Sequence, residues 1–294
     1  MSTRDFGIPE QTAHVPQMQT PFPPASVPQK REGIGIRLWR AAYPVLLVLG
    51  VQAVAGFVLG MLIAANPQLY RMTSDFDLLW LVLVATVASQ IAAVPFLVAF
   101  RIMDENRLRA KGVWKRYRLP NFGYLALCLG IGIGMALLAL CLFELIGLGD
   151  DGTQVVMFAS HPFVSILVIG LIGPAVEELV FRVLLFGRLR EWMGPVSAGL
   201  LSALVFTLAH GNEIQGVTAF FYGLALAFVY EKFKTFWAPF LLHAGVNSTV
   251  VLTAVVGRGF LVGATLPFVA LASAAVVVGL VFVAYRARLP KERE

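Results

Sequence analysis

Apolar residues run along this chain in stretches of about twenty, separated by short polar connections. The stretches are 41–65, 77–100, 122–147, 158–187, 195–210, 216–231, 236–256 and 260–285. A helix of about twenty residues spans the hydrocarbon core of a bilayer. A spanning backbone must satisfy its own hydrogen bonds there, so each stretch predicts a helix. A membrane barrel would show short alternating segments instead. The pattern predicts an all-α fold, a polytopic membrane helical bundle of about eight transmembrane helices. The fifth and sixth stretches are short, which predicts helices that thin the bilayer locally or pack inside the bundle. No internal repeat of the transporter kind is evident.

Composition agrees with this class. The 294 residues are 58% hydrophobic and 14% charged, with mean hydropathy +0.78. The net charge of +6 would suggest nucleic acid in a soluble chain, but no basic surface interleaved with aromatics is present. The charge instead follows the connections. Lys30, Arg31, Arg37 and Arg40 precede the first stretch, Arg101 to Arg118 follow the second, Arg188 and Arg190 the fourth, Lys232 and Lys234 the sixth, and Arg286 to Arg293 the last. The alternate connections hold only Arg71 and Arg258. Basic loops stay cytoplasmic, so both termini are predicted cytoplasmic in an integral, multi-pass protein. Residues 1–34, punctuated by Pro9, Pro16, Pro21, Pro23, Pro24 and Pro28, predict a disordered cytoplasmic tail. The chain then divides into residues 35–120, with two helices and a basic loop, and residues 121–294, with six helices and a core at about 158–256. Cys128 and Cys141 lie in one apolar stretch and read as packed thiols. His14 falls in the tail, and His161 and Trp114 read as interfacial residues.

Ionisable groups at membrane depth are costly and tend to mark function. Here they form three short strings: Glu177-Glu178-Leu-Val-Phe-Arg182, Phe206-Thr-Leu-Ala-His210 and His243-Ala-Gly-Val-Asn247. On a helix Glu178 and Arg182 share a face and can pair. Glu177 points about 100° away, which leaves it as the working carboxylate, a candidate general base. His243 and Asn247 also share a face and can direct donors to one point, as a developing oxyanion needs. Each string alone is equally compatible with a structural role: an ion-pair staple, an interfacial histidine, or hydrogen bonding between helices.

Taken together, the strings resemble the pattern of the CAAX protease and bacteriocin-processing family (CPBP, also Abi, or type II CAAX prenyl endopeptidase-like), a family of intramembrane proteases. Its pattern is E-E-x-x-x-R, then F-x-x-x-H, then H-x-x-x-N or H-x-x-x-D. The match falls on Glu177, Glu178, Arg182, Phe206, His210, His243 and Asn247, within about residues 158–256. The resemblance implies a hydrolase in which Glu177 and His210 activate water and His243 and Asn247 form the oxyanion hole. By their spacing Glu178 and Arg182 read as the structural ion pair of the site, with Phe206 as motif packing. Substrates would be membrane-bound or lipidated peptides, prenylated ones in the eukaryotic branch, with membrane lipids as the other partner and no nucleic acid.

The family is often labelled metalloprotease. A divalent metal such as zinc would take Glu177, His210 and His243 as ligands, and Asn247 suits an oxyanion better than zinc. Two other functions fit the same charges: a non-catalytic membrane scaffold or immunity or maturation factor, and a small-solute transporter. One geometric demand stands out. The topology puts Glu177 at mid-membrane and His210 toward the far end of its helix, so their meeting requires a deep or broken helix near Gly211-Asn212-Glu213.

Overall fold

A computed structural model describes residues 32–66, 75–115, 117, 119–147, 161–210, 213–257 and 263–287. The proline-rich tail, Arg71, Arg258 and the Gly211-Asn212 step lie outside the described residues. Among the described residues, eight helices follow the eight apolar stretches, and the chain is a multi-pass membrane protein. They are α1 (Ile34–Ala65), α2 (Asp75–Ala110), α3 (Phe122–Leu145), α4 (Pro162–Leu189), α5 (Pro195–Leu208), α6 (Glu213–Phe233), α7 (Trp237–Val256) and α8 (Leu266–Arg286). Six of them, all but α5 and α6, are long and apolar enough to cross a membrane.

Helix ends depart from the apolar limits where polar pairs carry the helix onward. α2 continues ten residues past its apolar stretch, to Ala110. Arg107 pairs there with Asp104 one turn back, and Arg109 with Glu105, as charges three and four apart do on a helix.

α4 is the hub and touches α1, α2, α5, α6 and α7. It is one continuous helix interrupted by two π segments, Ile166–Ile172 and Leu179–Phe186, which flank Gly173–Glu178. α3 and α7 cross with almost no side chain between them. A Cβ on Gly132 would sit 2.0 Å from the carbonyl oxygen of Leu242, and one on Gly245 would sit 2.7 Å from that of Leu129. Small residues allow this approach, which is how helices associate where lipid removes the hydrophobic drive.

The basic ends of the helices are tied together. Arg188, at the end of α4, pairs with Asp104 of α2 at 2.7 Å, donates to Tyr43 of α1 at 2.8 Å and reaches the Arg40 carbonyl. Arg107 of α2 bonds Glu191 just beyond α4 at 2.7 Å. Arg190 pairs with Glu231 of α6 at 2.9 Å, and Lys232 donates to the Tyr285 carbonyl of α8 at 2.8 Å. The start of α1 and the ends of α2, α4, α6 and α8 therefore share one end of the bundle.

Candidate active site

The short fifth helix meets the demand on depth. α5 has 14 residues, a rise of ~21 Å, against ~30 Å for the bilayer core. It starts at the basic end with Pro195 in its first turn, and its length ends it short of the opposite side of a bilayer. Glu177 lies twelve residues up α4 from Leu189, a rise of ~18 Å from the same end. His210 and Glu177 thus reach comparable depth, and both line one cavity.

Glu178 and Arg182 are wholly buried, each 0% exposed, with Glu178 Oε2 3.1 Å from Arg182 Nε. The Arg182 guanidinium also lies 4.7 Å from the centre of the Phe206 ring, where the negative ring face attracts it. The other Glu178 oxygen accepts from His243 Nδ1 at 2.9 Å. A carboxylate can only accept, so Nδ1 carries the proton. The ring is thereby fixed with Nε2 toward Glu177, 3.8 Å from its Oε2. One buried carboxylate therefore orients both an arginine on its own helix and a histidine on α7.

Glu177 is 24% exposed and lines the cavity. Its neighbour along the chain is sealed away, a separation that follows from the 100° step between consecutive helical residues. His210 bonds its Nδ1 to the Phe206 carbonyl at 2.8 Å, which makes Nδ1 the donor and leaves Nε2 with a lone pair. Phe206 is the packing centre of the site. Its ring stands edge-on to Phe181 at 5.0 Å, to His210 at 4.6 Å and to His243 at 5.7 Å. Ser202 of α5 donates to the Phe181 carbonyl at 3.0 Å and fastens α5 to α4.

Asn247 donates from Nδ2 to the Ile169 carbonyl at 3.0 Å. The local reason is Pro174. In the π register the Ile169 carbonyl would accept from residue 174, and proline has no N–H. Asn247 fills that vacancy and ties α7 to α4, using one of its two amide hydrogens. Neither His243 nor Asn247 is among the cavity-lining residues; His243 reaches Glu177 from behind.

The cavity has a volume of about 200 Å3. Glu177, Val176, Val180 and Phe181 of α4, with Ala209 and His210 after α5, form one side. The rest comes from α1 and α2: Val45, Val48, Leu49 and Gln52, and Thr86 and Gln90. Sequence reasoning passed over these last polar residues. The signal was present, since an amide at membrane depth is itself costly.

Among the described residues no three His, Cys, Asp or Glu side chains gather closely enough to hold a metal ion. Glu178 and His243 Nδ1 are already engaged with each other. With Nδ1 so bonded, Nε2 is the His243 atom that would face an ion beside Glu177 and His210.

Residues 159–249 match the family described as Type II CAAX prenyl endopeptidase Rce1-like. This segment is similar to that family. It carries all three polar strings and the helices α4 to α7 that hold them, apart from the last seven residues of α7. Among curated relatives, "Putative membrane peptidase YdiL" of Bacillus subtilis is 31% identical over 108 residues, 36% of this chain and 44% of that protein. "Membrane-embedded CAAX protease MroQ" of Staphylococcus aureus is 28% identical over 106 residues, 34% of this chain and 42% of that protein. The matched stretch spans under half the length of either relative. No solved structure matches the chain significantly. The α1–α2 hairpin lies outside the Rce1-like segment, although it supplies part of the cavity wall.

Proposed function

We propose that the protein is an intramembrane endopeptidase that hydrolyses peptide bonds of membrane-associated or lipidated substrates. The observation that carries this reading is the division of labour between adjacent glutamates. Glu178 is sealed against Arg182 and His243, while Glu177 opens on a cavity shared with His210.

In this reading a water in the cavity lies between Glu177 and His210 Nε2. Glu177 takes one of its protons as the oxygen attacks the scissile carbonyl. The carbonyl oxygen becomes an oxyanion and needs donors already in place. His243, held behind Glu177 with Nε2 toward it, is one donor once the substrate carbonyl reaches past the cavity lining. The free amide hydrogen of Asn247 is the second. The tetrahedral intermediate then expels the amine, which takes the proton back from Glu177, directly or passed on through His210 Nε2. The products are a new carboxylate and a new amine, with one water consumed. In this reading the basic end of the bundle, with both termini, faces the cytoplasm.

The test is direct. Detergent-purified wild-type protein is incubated with lipidated and transmembrane peptides, with and without a chelator, and products are read by mass spectrometry. The reading expects one cleaved bond in at least one class and no effect of the chelator. Intact peptides throughout would overturn it in favour of a scaffold, and loss of cleavage on chelation would overturn the metal-free step.

A further inference from the structure

The wall of the cavity contributed by α2 contains a buried amide oxygen without a partner among the described residues. Gln90 is 7% exposed, and its Oε1 has no hydrogen-bond partner there. A buried polar atom left unpaired is destabilising, and native interiors leave few such groups. Gln90 lines the same cavity as Glu177 and His210. Thr86 lies one helical turn away on the same face of α2 and also lines the cavity, as does Gln52 of α1. The remaining lining of α1, Val45, Val48 and Leu49, is apolar. The wall thus joins a polar strip to an apolar one.

We propose that Gln90 binds the main chain of an extended substrate peptide, with Thr86 and Gln52 completing a polar strip beside the scissile bond. This rests on the peptidase reading of Glu177. A carboxamide offers donor and acceptor side by side, the same pair that a peptide group presents. A substrate segment entering the cavity loses its water, and its N–H and C=O must find protein partners. A segment still folded as a helix has already paired those groups within itself. The substrate class is therefore an unwound or extended stretch, with apolar side chains or an attached lipid against Val45, Val48 and Leu49. The hairpin that selects it lies outside residues 159–249, the Rce1-like segment.

The experiment uses the full chain, as wild type and Gln90→Leu, with a cleaved peptide and a series in which single backbone amides become esters. Leucine removes the unpaired oxygen, so the variant is expected to melt at or above the wild-type temperature. It is also expected to raise KM about tenfold, the worth of one hydrogen bond, with kcat within about twofold. One ester near the scissile bond is expected to raise the wild-type KM by a like factor and to add nothing in Gln90→Leu. An unchanged KM, a fall in kcat instead, or additive losses at every ester position would overturn the inference and leave the peptidase reading standing. No cleavage by wild type would overturn both. If Gln90→Leu does not fold, Gln90→Met carries the same comparison.

Discussion

Removing Arg182 alone is predicted to be far more damaging than removing Arg182 and Glu178 together. The pair is wholly buried, with Nε and Oε2 3.1 Å apart. Arg182→Met keeps much of the side-chain length but leaves Glu178 as a buried carboxylate held only by His243. It also removes the cation from the face of Phe206, 4.7 Å away. Breaking a buried pair from one side costs about 3–5 kcal/mol, whereas replacing both charges by apolar or neutral groups is often close to neutral. Against a total stability of roughly 5–15 kcal/mol, the single change is a large fraction of the whole. The double change Glu178→Gln with Arg182→Met is predicted to recover most of the loss. The readout is thermal unfolding in detergent, followed by a thiol-reactive dye. Cys128 and Cys141 are buried in the fold and become reactive on unfolding. Single and double changes equally destabilising, or Arg182→Met as stable as wild type, would refute the assignment of Glu178–Arg182 as the structural pair. Even where stability recovers, activity is expected to stay low, because a neutral amide in place of the Glu178 carboxylate would hold His243 less firmly.

Three further outcomes follow from the same geometry. Gly132→Val would place side-chain atoms against the Leu242 carbonyl, where a Cβ already meets it at 2.0 Å; it is expected to destabilise by at least about 1–3 kcal/mol, seen as a lower melting temperature. Asn247→Leu would leave the Ile169 carbonyl without its donor, a loss of about 1–3 kcal/mol; unchanged melting would show that Asn247 does not tie α7 to α4. Asp104→Ala would leave the buried Arg188 without its carboxylate; it is expected to destabilise by about 3–5 kcal/mol and to increase protease cutting around α1 and α2.

The helices were legible because bilayer length and apolar run length are the same quantity. α3 and α7 fall within two residues of the stretches that predict them. α2 outran its stretch because paired charges sustain a helix that hydropathy ends. The Glu178–Arg182 pair was readable from its spacing of four. The Glu178–His243 bond joins residues 65 apart, and no local pattern encodes it. Pro174 hinted at a disturbed helix, but that Asn247 supplies the missing donor depends on how α7 packs. Gln52, Thr86 and Gln90 were visible as polar interruptions in apolar stretches. Only the packing of α1 and α2 against α4 shows that they face Glu177's cavity.

The most direct test compares Glu177→Gln with wild type on a cleaved peptide, measuring turnover and melting temperature together. Glu177 lines the cavity, stays partly exposed and approaches His243 only to 3.8 Å, so the melting temperature is predicted to stay within a few degrees. Turnover is predicted to fall by about 10²–10⁴, the contribution of a positioned general base. Turnover within tenfold of wild type, or a loss matched by loss of the fold, would contradict the assignment of Glu177 as the residue that activates water.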